Sequence, residues 1–413
     1  MKILHLNTYE KAGGAAIAAN RRHQAMLKLG ADSTLAVVGK ETDDTSVHSF
    51  YGKAGKVLRP FRQVPDYILP RLYRGKDETL FSPALWPSFL HRKIASLPSD
   101  IIQLEWICDS FLSAASLGKL EKPVVWTLQD AWGLTGGCHI LKGCERYKAE
   151  CGNCPQLGSS RQKDLSHYAW RAKKSAYAKC KPTIVTPSKR MCRLAEESSL
   201  LSDCTVKYIP NGIDEQQFFP VGKDVARKLL HLPEDAKIVL FGAMSASSDK
   251  NKGYDLLLSA LQRLKSSGEE NVHCVIFGAT HGEPLPFPTH YLGMLHDAVS
   301  INLAYNAADV FVCPSREENF PNTVLESLST GTPVAAFSIG GIPDIVAHTQ
   351  TGYLAPAYDT EELAKGIAFI IQDAARLSEM EKASRALIEE QYRIETIAKR
   401  YLQLYESILE NRV

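Results

Sequence analysis

The stretch from Asp309 to Val346, DVFVCPSREENFPNTVLESLSTGTPVAAFSIGGIPDIV, restricts the fold more than any other part of the chain. It opens with a short apolar run, Asp309–Cys313, closed by Pro314. A polar loop and an apolar helix pattern follow, stopped by Gly331 and Pro333. A second apolar run, Val334–Phe337, leads into Gly340 and Gly341. Short apolar runs bounded by turn residues read as buried strands, and a helix between them lets the strands lie parallel. Such strand–loop–helix–strand units build open parallel α/β sheets.

The loop before the helix carries the candidate chemistry. Asn319 suits a helix cap and Pro321 a first helical position, where a missing N–H costs nothing. The turn of Asn319, Phe320, Pro321, Asn322 and Thr323 would then offer backbone N–H groups and the positive end of the helix dipole to an anion. Glu318 precedes that turn. Glu326 lies five residues past Pro321, about 7–8 Å further along the axis. Carboxylates accept hydrogen bonds from hydroxyls. A phosphate at the helix end with hydroxyl-bearing rings on either side describes a nucleotide-sugar.

Glu318 and Glu326, with seven residues between them, resemble the E-x7-E motif of the large retaining glycosyltransferase family that includes sucrose synthases and bacterial polysaccharide mannosyl- and glucosyltransferases. Two glutamates on a solvated helix face are ordinarily surface charge. Here Ser315-x-x-Glu318, Thr330-Gly331-Thr332-Pro333-Val334 and Gly340-Gly341-Ile342-Pro343-Asp344 follow in the family's order. The resemblance implies a GT-B architecture, two facing doubly wound α/β domains with a cleft between them.

The length of 413 residues fits about two domains. No run of about 18 uncharged apolar residues offers a membrane span, and the start, Met1 to Leu6, reads as a first strand and not a signal peptide. The net charge of +2 hides a split of +11 in residues 1–205 and −9 in 206–413. Two blocks concentrate the positive charge. Residues 161–193 hold ten Lys/Arg against one Asp, and residues 50–93 hold nine against three acids, interleaved with Phe61, Tyr67, Tyr73, Phe81, Trp86 and Phe89. Basic residues mixed with aromatics suit an anionic bilayer surface; solvated charge is the plainer alternative. No nucleic-acid-binding motif is present.

In chain order, Lys2–Asn7 is a strand, followed by a loop with Gly13 and Gly14 and a helix from Ala15 to Leu29. Neither G-x-G-x-x-G nor a Walker lysine motif is present, which disfavours a dinucleotide enzyme or P-loop ATPase. Gly13 and Gly14 allow close backbone approach to a diphosphate or acceptor, or serve only a tight turn. Asp100–Glu105 and Pro123–Leu128 are buried strands, whose ends, Glu105-Trp106 and Gln129-Asp130-Ala131-Trp132, are expected at the cleft. Gly136-Gly137-Cys138-His139 through Cys144, Cys151 and Cys154 resembles a bacterial polysaccharide subgroup of the family. Where many relatives carry His, this chain has Glu105 and Gln129. Gln129 can steady a sugar hydroxyl but cannot relay a proton. Asp130 is the candidate to hold an acceptor or sugar hydroxyl.

Cys151-x-x-Cys154 has metal-ligand spacing, and Cys138, His139 and Cys144 could complete a closed structural zinc set. Reduced thiols or a disulfide pair are the alternatives. Pro210-Asn-Gly-Ile-Asp214 resembles the family's interdomain hinge. In the second half, Lys237–Gly242 is a strand and Lys252-Gly253 opens a helix. Lys252 matches the family lysine on the donor diphosphate. The arginine that the family usually places just after the strand is replaced here by Ala243, for which Lys250 or Arg316 could substitute. Gly278 ends a strand near the expected uridine or guanine pocket, and the amphipathic helix 394–410 resembles the tail that crosses back onto the first domain.

These readings imply an acceptor-side domain at 1–207, a nucleotide-sugar domain at 208–393 and a returning helix at 394–413. The implied activity is retaining transfer of a hexosyl unit from UDP- or GDP-sugar to a polysaccharide or lipid-linked acceptor. Fixed cationic and N–H groups stand in for a metal, so no cofactor is required for catalysis. The implied location is cytoplasmic, peripheral on the inner membrane face. A sugar-nucleotide epimerase on the same fold and a non-catalytic nucleotide-sugar scaffold are the alternatives.

Overall fold

The computed structural model describes residues 1–51, 64, 66–242 and 249–411. Ala243 and Phe61 lie outside the described residues. The chain divides into two compact units, Met1–Pro210 with Ile397–Val413, and Asn211–Thr396.

The first unit is built on a seven-stranded sheet. Its strands are β1 (Lys2–Tyr9), β2 (Asp32–Gly39), β3 (Val47–Ser49), β4 (Ile101–Leu104), β5 (Val124–Thr127), β6 (Thr183–Thr186) and β7 (Val206–Tyr208), in the order β3-β2-β1-β4-β5-β6-β7. Every pairing is parallel. Strands such as IIQL and VVWT are buried along their whole length, as expected of a sheet covered on both faces. Helix α1 (Gly14–Lys28) follows β1, and α2 (Leu165–Cys180) is capped by Asp164, which accepts from the N–H groups of Ser166 and His167.

Not all of the basic block at 161–193 faces water. Lys173 on α2 is fully buried, its Nζ donating to the carbonyls of Trp132 (2.6 Å) and Thr135 (3.0 Å) and lying 3.5 Å from the Trp132 ring centre. Burial pulls its ammonium down to about 7.

The second unit holds a six-stranded parallel sheet: β8 (Lys237–Gly242), β9 (Val272–Phe277), β10 (Thr289–Gly293), β11 (Val310–Cys313), β12 (Val334–Phe337) and β13 (Gly352–Ala355), in the order β10-β9-β8-β11-β12-β13. Helix α3 (Tyr254–Ser266) buries Leu257, Leu261 and Leu264 on one stripe. Helix α4 (Ala298–Ala307) precedes β11, and α5 (Asn322–Ser329) is buried from Val324 onward. The last helix, α6 (Ile394–Glu410), returns the chain to the first unit from Ile397.

Within the first unit, α6 is held by a buried polar knot. Arg22 Nη1 donates to Glu105 Oε1 (2.7 Å) and Thr127 Oγ1 (3.0 Å), and its guanidinium lies 4.2 Å from the Tyr401 ring centre. Tyr401 shares a hydrogen bond with Thr127 (3.0 Å), and Tyr405 donates to Gln103 (2.8 Å). This overturns the expectation that Glu105 ends its strand facing a ligand. Its side chain is fully buried, turned onto Arg22, because a carboxylate taken out of water needs a cation beside it.

Candidate active site

Strand order places the candidate residues. In an open parallel sheet, ligands bind beyond the carboxyl ends of the strands where the order reverses. In the second unit that reversal falls between β8 and β11. The loop after β8 carries Lys252, and the loop after β11 carries Glu318.

The structure brings those two side chains together. Lys252 Nζ donates to Glu318 Oε1 at 2.8 Å, and Ser315 Oγ donates to the same oxygen at 2.9 Å. The Glu318 charge is the chief reason the Lys252 ammonium is held well above its ordinary value, so it stays charged across the physiological range. Asn251 straps the two loops. Its carbonyl accepts from the Arg316 N–H (2.8 Å), its Nδ2 donates to the Glu317 carbonyl (2.9 Å), and its Oδ1 accepts from the Glu317 N–H (3.0 Å). Sequence reading missed Asn251; only its place beside Lys252 pointed to it.

Two glycines let the backbones close. Gly253 has φ +72°, and a Cβ there would stand 2.1 Å from the Pro314 carbonyl oxygen. Gly340 has φ +57°, and a Cβ there would stand 1.6 Å from the Glu318 carbonyl oxygen. Gly340→Ala therefore forces the loop carrying Glu318 to move, besides straining its own backbone. The expected outcome is a lowered melting temperature; an unchanged one would show that the close approach is dispensable.

The helix after Glu318 starts later than the sequence suggests. Pro321, with ψ 121°, stands in the capping position instead of the first helical one, and α5 begins at Asn322. The anchor is Phe320, buried against Tyr392 with ring centres 6.1 Å apart, which fixes the chain before the turn. Asn319 lies in the approach loop and Thr323 in the first turn. Glu326 is buried one turn into the helix, where Tyr305 donates to its Oε2 at 3.3 Å. Tyr305 itself packs edge-on against Phe277 and Phe311. Gly278 follows β9 with φ +83°, its N–H donating to Gly293 at 2.7 Å.

Arg316, offered as a stand-in for the missing family arginine, grips both Asp255 oxygens (2.8 and 2.6 Å), a surface pairing that also raises its pKa above the ordinary value. Lys250 sits in the 3-10 turn before Lys252, its carbonyl accepting from Arg316 at 2.8 Å.

In the first unit the order reverses between β1 and β4. Gly13 and Gly14 follow β1. Gly13 has φ +89° with open space where a Cβ would stand, so its conformation and not crowding calls for glycine. Trp106 follows β4, and Gln129 and Asp130 follow β5. They line one small cavity with Glu105 and Trp132. Asp130 is a bound carboxylate. Its Oδ1 accepts from the Trp132 N–H (2.8 Å), and its Oδ2 accepts from the Trp106 indole (2.9 Å) and pairs with His139 Nδ1 (2.7 Å). His139 Nε2 in turn contacts Ser82 Oγ at 2.9 Å. Burial would push the Asp130 carboxyl up, but His139 and these N–H donors outweigh it and hold the carboxyl below its ordinary range. Trp106 and His139 as partners of Asp130, with Ser82 behind His139, were not legible in the sequence, since they join separate segments.

Cys138, Cys144, Cys151 and Cys154 line one cavity of about 20 Å³, room for a single water-sized occupant. All four are free thiols. Among the described residues no group of three or more His, Cys, Asp or Glu is placed to hold a metal ion. Cys138 and Cys154 hydrogen-bond to each other, Cys151 accepts from the Gly136 N–H at 3.3 Å, and Cys144 is only half-buried.

Residues 235–373, which carry Lys252, Glu318, Glu326 and Gly340, match the family model for glycosyl transferases group 1. A D-inositol 3-phosphate glycosyltransferase of Streptosporangium roseum is 32% identical over 187 residues, 41% of this chain and 42% of that relative. The chain thus spans about two-fifths of that relative's length. An uncharacterized glycosyltransferase of Methanocaldococcus jannaschii is 25% identical over 64% of this chain and 68% of its own. Among solved structures, the sucrose-phosphate synthase of Thermosynechococcus elongatus matches with a TM-score of 0.69 and 18% identity over 99% of both chains. Anabaena HepE in complex with UDP-glucose matches with a TM-score of 0.64 and 16% identity, over 98% of this chain and 100% of its own. The chain accordingly carries a glycosyl transferases group 1 domain of the GT4-like kind, on the pair of parallel-sheet α/β units shared by GT-B glycosyltransferases.

Proposed function

We propose that this protein transfers a hexosyl unit from a UDP- or GDP-sugar to a glycan or lipid-linked acceptor, retaining the anomeric configuration and requiring no metal. The observation that carries the reading is the Lys252–Glu318 contact at the β8/β11 reversal, beside the amino end of α5. A cation and a row of backbone N–H groups at one corner suit a diphosphate. As the sugar–phosphate bond breaks, charge grows on the leaving oxygen, and fixed positive groups stabilise that charge without reorganising. Glu318 accepts from sugar hydroxyls, and Glu326 from the ribose. Asp130 and Gln129 hold hydroxyls on the acceptor side. HepE, which has the same fold, was solved with UDP-glucose bound, in keeping with a nucleotide-sugar donor. The positive first half, +11 over residues 1–205, suits an acceptor offered at an anionic membrane surface on its cytoplasmic side. No described helix is long and apolar enough to cross a membrane.

The test is a panel of UDP- and GDP-sugars, with and without hydroxyl acceptors, read by thermal shift and by NMR of the products. One donor is expected to stabilise the protein and to yield a glycoside of unchanged anomeric configuration, insensitive to chelator. An epimerised sugar formed without acceptor would replace this reading with that of an epimerase. Nucleotide binding with neither transfer nor slow donor hydrolysis would make the protein a scaffold, the outcome that Gln129 and the inward-turned Glu105 would then explain.

A further inference from the structure

The helix at 66–71 and the turn after it carry apolar side chains both towards the protein and towards solvent. Its inner face, with Leu69 and then Tyr73, packs against a buried cluster of Phe81, Cys138, Cys154, Leu157 and Leu165. Its outer face shows Ile68 48% and Leu72 70% exposed, one turn apart, with the Leu72 N–H donating to the Ile68 carbonyl at 3.2 Å. Val64, one turn earlier, is 41% exposed. Exposed Val64, Ile68 and Leu72 are not what the solvent side of an ordinary surface helix carries. Two more large apolar side chains, Trp86 (59% exposed) and Phe89 (68%), stand out from the segment before the helix Leu90–Ala95.

Both segments are tied to the same loop, which sets them side by side. Asp66 accepts from Ser110 Oγ (2.8 Å) and Tyr67 donates to Asp109 (3.1 Å). From the other segment, the Ala84 carbonyl accepts from the Ala114 N–H (3.1 Å), and Ser88 Oγ donates to the Phe111 carbonyl (3.0 Å). Several large apolar side chains left exposed on neighbouring segments mark an interaction site.

The charge around it selects the partner. Residues 64–93 carry five Lys/Arg against three acids. Of the acids, Asp66 is buried, and Asp77 is occupied by Lys142 at 2.8 Å. Arg71 and Arg74 border the Ile68–Leu72 stripe, and Arg92 and Lys93 follow Phe89; all four are exposed. Apolar side chains ringed by arginine and lysine match a bilayer with anionic headgroups, where the former enter the acyl boundary and the latter stay among the phosphates.

We infer that Val64, Ile68, Leu72, Trp86 and Phe89, with the basic residues among them, form a docking surface for an anionic lipid bilayer. This deepens the membrane part of the function proposed above and does not depend on sugar transfer. The surface belongs to the first unit and the loops carrying Lys252 and Glu318 to the second, so the two are tested apart.

The test is sedimentation of the full chain with vesicles of phosphatidylcholine, with and without phosphatidylglycerol, over a salt series. Wild type is expected to bind only the anionic vesicles and to lose binding as salt rises. Ile68→Glu with Leu72→Glu, and separately Trp86→Ser with Phe89→Ser, are expected to weaken binding about tenfold or more. Their melting and their response to UDP or GDP should match wild type, which guards against simple misfolding. Equal vesicle binding by wild type and both variants would overturn the proposal, as would no binding at low salt. So would a concentration-dependent dimer in light scattering that Ile68→Glu with Leu72→Glu dissolves, since the face would then belong to a second copy of the chain.

Discussion

Replacing Lys252 with alanine is expected to lower turnover of the nucleotide-sugar by about a hundred- to a thousand-fold, the usual effect of deleting one fixed group that meets charge developing on a leaving oxygen. The expectation rests on geometry. Lys252 is tethered 2.8 Å from Glu318 in the loop next to the start of α5. Its ammonium remains charged because that carboxylate raises its pKa. Deletion therefore removes positive charge and also leaves Glu318, whose side chain is only 13% exposed, without its cation. Lys252→Arg keeps the charge but not the compact ammonium, and should recover part of the rate. Melting of Lys252→Ala should stay near wild type, since the pair is partly solvated. A turnover within a few-fold of wild type would remove Lys252 from the mechanism.

The largest effect on stability is expected from Arg22→Ala, about 3–5 kcal/mol, because it strands the buried Glu105 carboxylate without its partner. The same change deletes the cation under Tyr401 and the donor to Thr127, so α6 loses its footing on the first unit. Arg22→Met combined with Glu105→Leu removes both charges and should recover most of the stability. Denaturant melts of the three proteins at neutral pH decide it. A single variant as stable as wild type, or a double variant no better than the single, would show that the knot does not hold the helix.

Much of the second unit was legible because its signals are local. The runs Lys237–Gly242 and Val334–Phe337 coincide with β8 and β12, since a strand buried on both faces reads as continuous apolar residues. The short strands Val47–Ser49 and Gly352–Ala355 carried no such run, and sequence reading passed over them. Alternation alone is too weak over three or four residues. The start of α5 was misjudged by one or two residues because Asn319 and Pro321 satisfy the local capping rules, while the burial of Phe320 set the turn. Glu105 was misjudged for a related reason. A carboxylate at a strand end looks like a ligand group until the arginine that neutralises it, on α1, is brought beside it.

The sequence by itself determined the class of fold and the chemical character of the candidate site. The apolar runs, the turn residues and the carboxylate spacing all act over a few residues of chain. Only the tertiary structure decided which groups meet. Strand order put the loops of Lys252 and Glu318 on either side of one reversal, joined Asp130 to Trp106 and His139, and turned Glu105 inward onto Arg22. All but the Asp130–His139 pair link residues tens of positions apart, and no local pattern encodes them. They are fixed by the packing of whole elements, where each buried charge must find its partner before the sheet can close over it.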